Sequence, residues 1–252
     1  MSALTLDPTQ AMLAGLRRKW GTVPAAGPDR LTTADLMAMD DDRLVSTWWR
    51  AVHAATTGPN HDVRGWYHTL YKDVLRGKKV LDVGAGLGMD GISFALAGAR
   101  VTLLDIVPGN IELLRRVSSL LDLPPGAVEF CVLEDYDSID RLGEDYDVVW
   151  AQGSLINAPF EAMREECAAL LRRLPVGGRW IELAYPRQRW EREGSLPFDQ
   201  WGVKTDGAGT PWVEWYDLDK LRARLAPATF DAVLAMNFHG DDFNWFDLVR
   251  RG

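Results

Sequence analysis

Residues 79–91 read "KVLDVGAGLGMDG". A short aliphatic run carries an acid, Asp82, and then breaks into glycines at alternate positions, Gly84, Gly86 and Gly88. A run of this length is a buried strand. Glycines at its exit let the backbone turn tightly and lie against a ligand with no Cβ in the way. The stretch is therefore a strand feeding a ligand-binding turn.

Strands and helices alternate from there. "MDGISFALA" reads as a helix closed by Gly98, and "ARVTLLD" as a second strand. "PGNIELLRRVSSLLDL" is a helix with Pro108 near its start and Pro124 and Pro125 past its end. "AVEFCVL", "YDVVWAQ" and "RWIELAY" are further strands, with the amphipathic "FEAMREECAALLRRL" before the last of them. This alternation predicts an α/β fold with a parallel sheet covered by helices on both faces. At the end, "TFDAVLAM" and "NWFDLVR" are separated only by "NFHGDDF", too short for a helix. A hairpin is required, so the seventh strand runs antiparallel. The prediction is a doubly wound, seven-stranded, mostly parallel sheet.

In such a sheet, ligands bind beyond the carboxyl ends of the strands. Asp105 closes the second strand, 21 residues after Gly84 (105 − 84), where it can accept both hydroxyls of a ribose. A dinucleotide loop would place its third glycine at position 89, which is Met89. A phosphate-binding P-loop needs Gly-Lys-Ser/Thr, which this turn lacks. The charge of Asp82 suits a cationic ligand better than a pyrophosphate.

"VLDVGAGLG", the strand-ending Asp105 and the final hairpin together resemble the class I S-adenosylmethionine-dependent methyltransferases over roughly residues 75–250. The resemblance implies S-adenosylmethionine as cofactor. It implies Gly84, Ala85 and Gly86 along the methionine part, with Gly88 completing the turn and Asp82 near the amino group. It places Asp105 on the ribose, Ile106 on the adenine, and Glu134 or Asp135 on the adenine amino group. Gln152 and Gly153 would lie beneath the sulfonium, and Arg64 and Tyr67 would close over the methionine end. Residues 1–75 carry helical signals broken by "TGPN", and are expected as a helical cap on a cofactor-binding domain at 76–252.

The acceptor is carried by the loops above the sheet. The longest, residues 185–217, is rich in Gly, Pro, charge and tryptophan, and is expected as an irregular lid. Tyr185, Arg187, Trp190 and Trp201 are its candidate substrate residues; the tryptophans either pin the lid as a small core or present faces to a flat or sugar-like acceptor. In the hairpin, His239 with Asp241 is a candidate general base, with His61 and His68 as competitors. The acids there, with Glu182 at the end of the fifth strand, are a candidate Mg²⁺ site; alternatively Gly-Asp-Asp is only a turn.

Composition narrows the class. The chain has 252 residues, 47% of them hydrophobic, enough for one large α/β domain with a cap. Net charge is −8, which argues against a nucleic-acid-binding surface. Two distant cysteines, Cys131 and Cys167, suggest neither a disulfide framework nor a zinc site. There is no signal-peptide or membrane-spanning run, so a cytoplasmic location is expected. The expected reaction is methyl transfer to a hydroxyl of a small soluble acceptor, a sugar or oligosaccharide. Within the family the overall look is similar to actinobacterial polysaccharide methyltransferases, the methylmannose polysaccharide type among them. The alternative is an aromatic or amino-sugar acceptor. A homodimer is a candidate assembly; no nucleic-acid or membrane partner is expected.

Overall fold

A computed structural model describes residues 8–22 and 31–252. Seven strands form one sheet in the order β3-β2-β1-β4-β5-β7-β6. They are β1 (Lys79–Val83), β2 (Arg100–Asp105), β3 (Val128–Val132), β4 (Val148–Gln152), β5 (Arg179–Ala184), β6 (Phe230–Phe238) and β7 (Phe243–Arg250). The pairs among β1 to β5 are parallel, and β7 is antiparallel to both β5 and β6. The predicted sheet and its closing hairpin are therefore present. Strand order reverses between β1 and β4, so the turns after them share the switch-point crevice.

The helices are α1 (Pro8–Trp20), α2 (Thr33–Met37), α3 (Asp41–Thr56), α4 (Trp66–Val74), α5 (Met89–Leu96), α6 (Pro108–Leu120), α7 (Asp137–Asp140), α8 (Phe160–Leu171), α9 (Arg187–Arg192), α10 (Phe198–Asp206) and α11 (Leu218–Leu225). A π-helical turn, His61–Gly65, leads into α4. Successive strand residues point to opposite faces. Val80, Leu103 and Trp150 accordingly enter one core with α3, α4, α5 and α6, while Leu81, Val83, Leu104 and Val149 enter another with α8 and α11.

The lid departs from expectation. Residues 185–217 contain two helices, α9 and α10, rather than irregular chain. Pro186 and Pro197 immediately precede them, where a fixed φ and missing N–H cost a helix nothing. The tryptophans explain the order. Trp201 is fully buried and donates to Glu193 at 2.8 Å, and Trp190 donates to the Leu196 carbonyl at 2.8 Å. Trp190, Phe198, Trp212 and Trp215 meet ring to ring. They form the lid's own small core.

Candidate active site

A cavity of about 330 Å³ opens at the carboxyl ends of β1, β2 and β4. Gly84 and Gly86 form one wall. Gly84 has φ 74°, and a Cβ there would run into the Ser154 side chain, so that position excludes other residues on two counts. Asp105 lies beside the turn and is 5% exposed. Its Oδ2 accepts from the Gly86 N–H at 2.8 Å and its Oδ1 from the Val107 N–H at 2.8 Å. Asn110 donates to the same Oδ1 at 3.3 Å. Burial raises the Asp105 carboxyl above the usual carboxylate range, against the pull of these donors.

Of the residues expected at the cofactor, Arg64, Tyr67, Gly84, Gly86, Asp105, Ile106, Gln152 and Gly153 line the cavity. Ala85 and Gly88 are not part of the lining; Gly88 instead caps α5, with φ 65° and Leu114 and Ile92 close by. Asp82 also lies behind the wall, where it accepts from the Gly91 N–H at the start of α5. Burial, with Asp90 and Asp105 nearby, holds its carboxyl well above the ordinary value. Its influence passes through Arg64, which stands 3.6 Å from Asp90 and faces the cavity. Glu134 and Asp135 are turned away. Glu134 pairs with Arg141 at 3.3 Å, and Asp135 accepts from the Ser138 N–H and hydroxyl.

The opposite wall holds Leu183, Tyr185, Asp206 and Phe243. The Tyr185 hydroxyl donates to Asp206 Oδ1 at 2.9 Å, while Arg189 covers its ring at 4.1 Å. Burial raises both Tyr185 and Asp206. Arg187 is outside the cavity, paired with Glu191 at 2.7 Å, and Trp190 and Trp201 are consumed in the lid.

The hairpin turn is at the expected end of the sheet but faces outward. His239 and Asp241 are exposed, in left-handed backbone at φ 53° and 61°. His239 borders a separate surface hollow with His61, Trp66 and Phe238. Arg192 pairs with Asp242, tying the turn to α9. Glu182 is fully buried below the sheet, where Trp180 donates to it at 2.8 Å and Arg224 closes on it. Glu182 is therefore not brought together with His239 and Asp241. Among the described residues, no three His, Cys, Asp or Glu converge as a metal site. The competing His68 is nine-tenths buried against Phe94, and burial lowers its pKa.

Several lining residues carried no motif: Leu16, Trp20, Asn157, Glu166, Asp206 and Phe243. Two had a faint signal. Glu166 interrupts the apolar side of a helix, and Asn157 follows directly on the strand-four turn. α1 spans the mouth. Arg17 donates to the carbonyls of Ile106, Leu133 and Glu134, and Lys19 to those of Asp206 and Ala208.

Residues 80–178 match a family model described as a methyltransferase domain. The chain is 31% identical over 157 residues to a protein N-lysine methyltransferase of Danio rerio, covering 60% of this chain and 68% of that one. The chain belongs to the class I S-adenosylmethionine-dependent methyltransferases. Its cofactor is S-adenosylmethionine. This methyltransferase is also 31% identical over 144 residues to a ubiquinone biosynthesis O-methyltransferase of Bordetella parapertussis, covering 55% of each. It spans about half the length of the ubiquinone biosynthesis O-methyltransferases it matches. The magnesium protoporphyrin IX methyltransferase of Synechocystis PCC 6803 with bound SAM has the same fold, with a TM-score of 0.58 at 16% identity and 100% of both chains covered. The cavity fits this cofactor on its own evidence. Both amide atoms of Gln152 and the Oδ1 of Asn157 are buried at its wall without a partner among the described residues, which leaves hydrogen-bonding capacity for a polar ligand. No described helix is long and apolar enough to cross a membrane.

Proposed function

We propose that this methyltransferase methylates a hydroxyl of a small acceptor, a sugar or oligosaccharide in the first instance. The observation that carries the reading is the Tyr185–Asp206 pair, a half-buried carboxylate and phenol that line the same cavity as the glycine turn. S-adenosylmethionine supplies, when bound, a methyl group on a positively charged sulfur. A hydroxyl is a poor nucleophile until a base takes its proton. Asp206 is that base in this reading: burial raises its proton affinity, and Tyr185 aims it. Phe243 and Leu183 add an apolar face beside this polar pair, the mixture a sugar ring needs. Arg64 and Tyr67 close the methionine end, and the helices before β1 act as a cap that excludes water. A methylmannose-type polysaccharide acceptor is the specific form of this proposal.

A second reading has its own support. The tryptophans that favoured a sugar lie inside the lid core, and the open wall is Tyr185, Phe243 and Leu183. That wall suits an aromatic hydroxyl as well. Incubation with methyl-labelled cofactor and matched panels of mannosides, phenols and amines separates the two. Label on mannosides alone supports the sugar, label on phenols alone supports the second reading, and label only on amines sinks both.

A further inference from the structure

Glu166 has no assigned role, yet its position is unusual. It lies on α8, is 5% exposed, and lines the same cavity as Asp105 and Gly84. It makes no hydrogen bond among the described residues. A buried carboxyl normally has a partner, and its absence points to one supplied by a ligand.

Its surroundings say which part of a ligand. Met163, one turn earlier on α8, lines the cavity with it, as do Leu104, Ile106, Leu133 and Leu16. The Tyr136 hydroxyl, from the turn after β3, donates to the Ala162 carbonyl of α8 at 3.3 Å, which holds this helix against the turn. Tyr136 also stands close to the Glu166 carboxyl, so Glu166 reaches the cavity beside the turn after β3. A ribose held on Asp105 would leave its base to the cavity residues that follow β2 and β3, Ile106 and Leu133 among them. The acids in the turn after β3 are committed elsewhere, Glu134 to Arg141 and Asp135 to Ser138.

We propose that Glu166, as a neutral carboxylic acid, reads the edge of the cofactor's adenine, its O–H donating to a ring nitrogen and its carbonyl oxygen accepting from the neighbouring amino group. A flat carboxyl matches an aminopyrimidine edge with two hydrogen bonds, and no charge is left buried. The protonated form is well populated at neutral pH. Burial pushes Glu166 up to about 7, with Arg224 of α11 pulling the other way. The remaining ionisable neighbours are Tyr136, Cys167 on the same helix, Glu165 beside it, and Glu182 of β5, which is closed on Arg224. α1 contributes Leu16, while its Arg17 and Lys19 are held by carbonyls at the mouth.

The inference rests on the cofactor, not on the acceptor, so its test needs no substrate. Calorimetry of S-adenosylhomocysteine with the full chain reads it directly. When only the protonated form binds, affinity falls about thirtyfold from about pH 6 to about pH 8.5. Glu166→Gln keeps one donor and one acceptor, so it binds within about threefold of the wild type at the lower pH and loses the pH slope. Glu166→Ala binds about tenfold or more weakly at the lower pH. A wild-type affinity that does not change with pH, or a Glu166→Gln chain that keeps the slope, overturns the proposal and leaves the cofactor intact. No binding by the wild type at any pH removes the cofactor as well.

Discussion

The wall proposed for the cofactor is backbone; the wall proposed for the acceptor is borrowed side chain. From Gly84 to Gly86 the chain itself faces the ligand, and one carboxylate, Asp105, locks the turn through the N–H groups of Gly86 and Val107. Opposite, Tyr185, Asp206 and Phe243 come from the end of β5, the end of α10 and the start of β7, and they meet only because the lid folds on its own tryptophan core. The first wall is held by bonds within about 25 residues of sequence. The second depends on packing among elements up to 58 residues apart (243 − 185). A backbone wall tolerates little change and serves one ligand. A side-chain wall can be rebuilt for a new acceptor while the other is left untouched.

The sharpest way to break this contrast is at Asp105. Asp105→Ala strands two buried N–H groups at a cost of about 1–3 kcal/mol each and removes the acceptor proposed for the ribose. Binding of S-adenosylhomocysteine is expected to fall by at least about 100-fold. The lid should be unaffected, and its resistance to limited proteolysis within residues 185–217 checks that. A collapse of both signals would mean the two walls are a single unit.

Asp206→Asn is the matching test on the other wall. It keeps the shape but removes the proposed base. Turnover on a hydroxyl acceptor should drop by about 100-fold, within the usual range for a general base. Affinity for S-adenosylhomocysteine should stay within about twofold. Equal losses in both quantities would place Asp206 at the cofactor instead. The pH profile adds a sign. A carboxyl that acts as a base is needed without its proton, so activity should rise with pH through its raised value, whereas cofactor binding through Glu166 falls with rising pH.

The same contrast explains what could be read without a structure. β1, the turn and Asp105 sit in one continuous stretch, and their chemistry follows from residue type and order alone. The antiparallel β7 was legible because seven residues between two strands leave room only for a hairpin. The acceptor wall had no such signal. Trp190 and Trp201 look alike in a polar stretch whether they face substrate or each other, and only packing decides. Glu134 and Asp135 lie where an adenine contact is expected, but Arg141 and Ser138, three to seven residues on, hold them. Glu182 lies two residues before the end of the right strand but points to the face where Arg224 waits, because alternate strand residues face opposite ways. Asp206 belongs to the site through tertiary placement alone, and Glu166 through little more than one acid on the apolar side of a helix.

The hairpin turn gives the smallest expected effect and the cleanest discrimination. His239 and Asp241 sit in left-handed backbone, exposed, with Phe243 between them and the cavity. Arg189 donates to the Asp242 carbonyl at 3.2 Å and Arg192 to the Gly240 carbonyl at 3.1 Å, so the turn braces α9 rather than the ligand. His239→Ala removes an imidazole from solvent and leaves both bonds in place, since each uses a backbone oxygen. Turnover with saturating cofactor should stay within about twofold, as for an exposed substitution worth less than about 0.5 kcal/mol. A loss of tenfold or more would instead require the turn to swing inward over Phe243 during the reaction. In that case the acceptor wall would include the hairpin, and the base would have to be sought at His239 before Asp206.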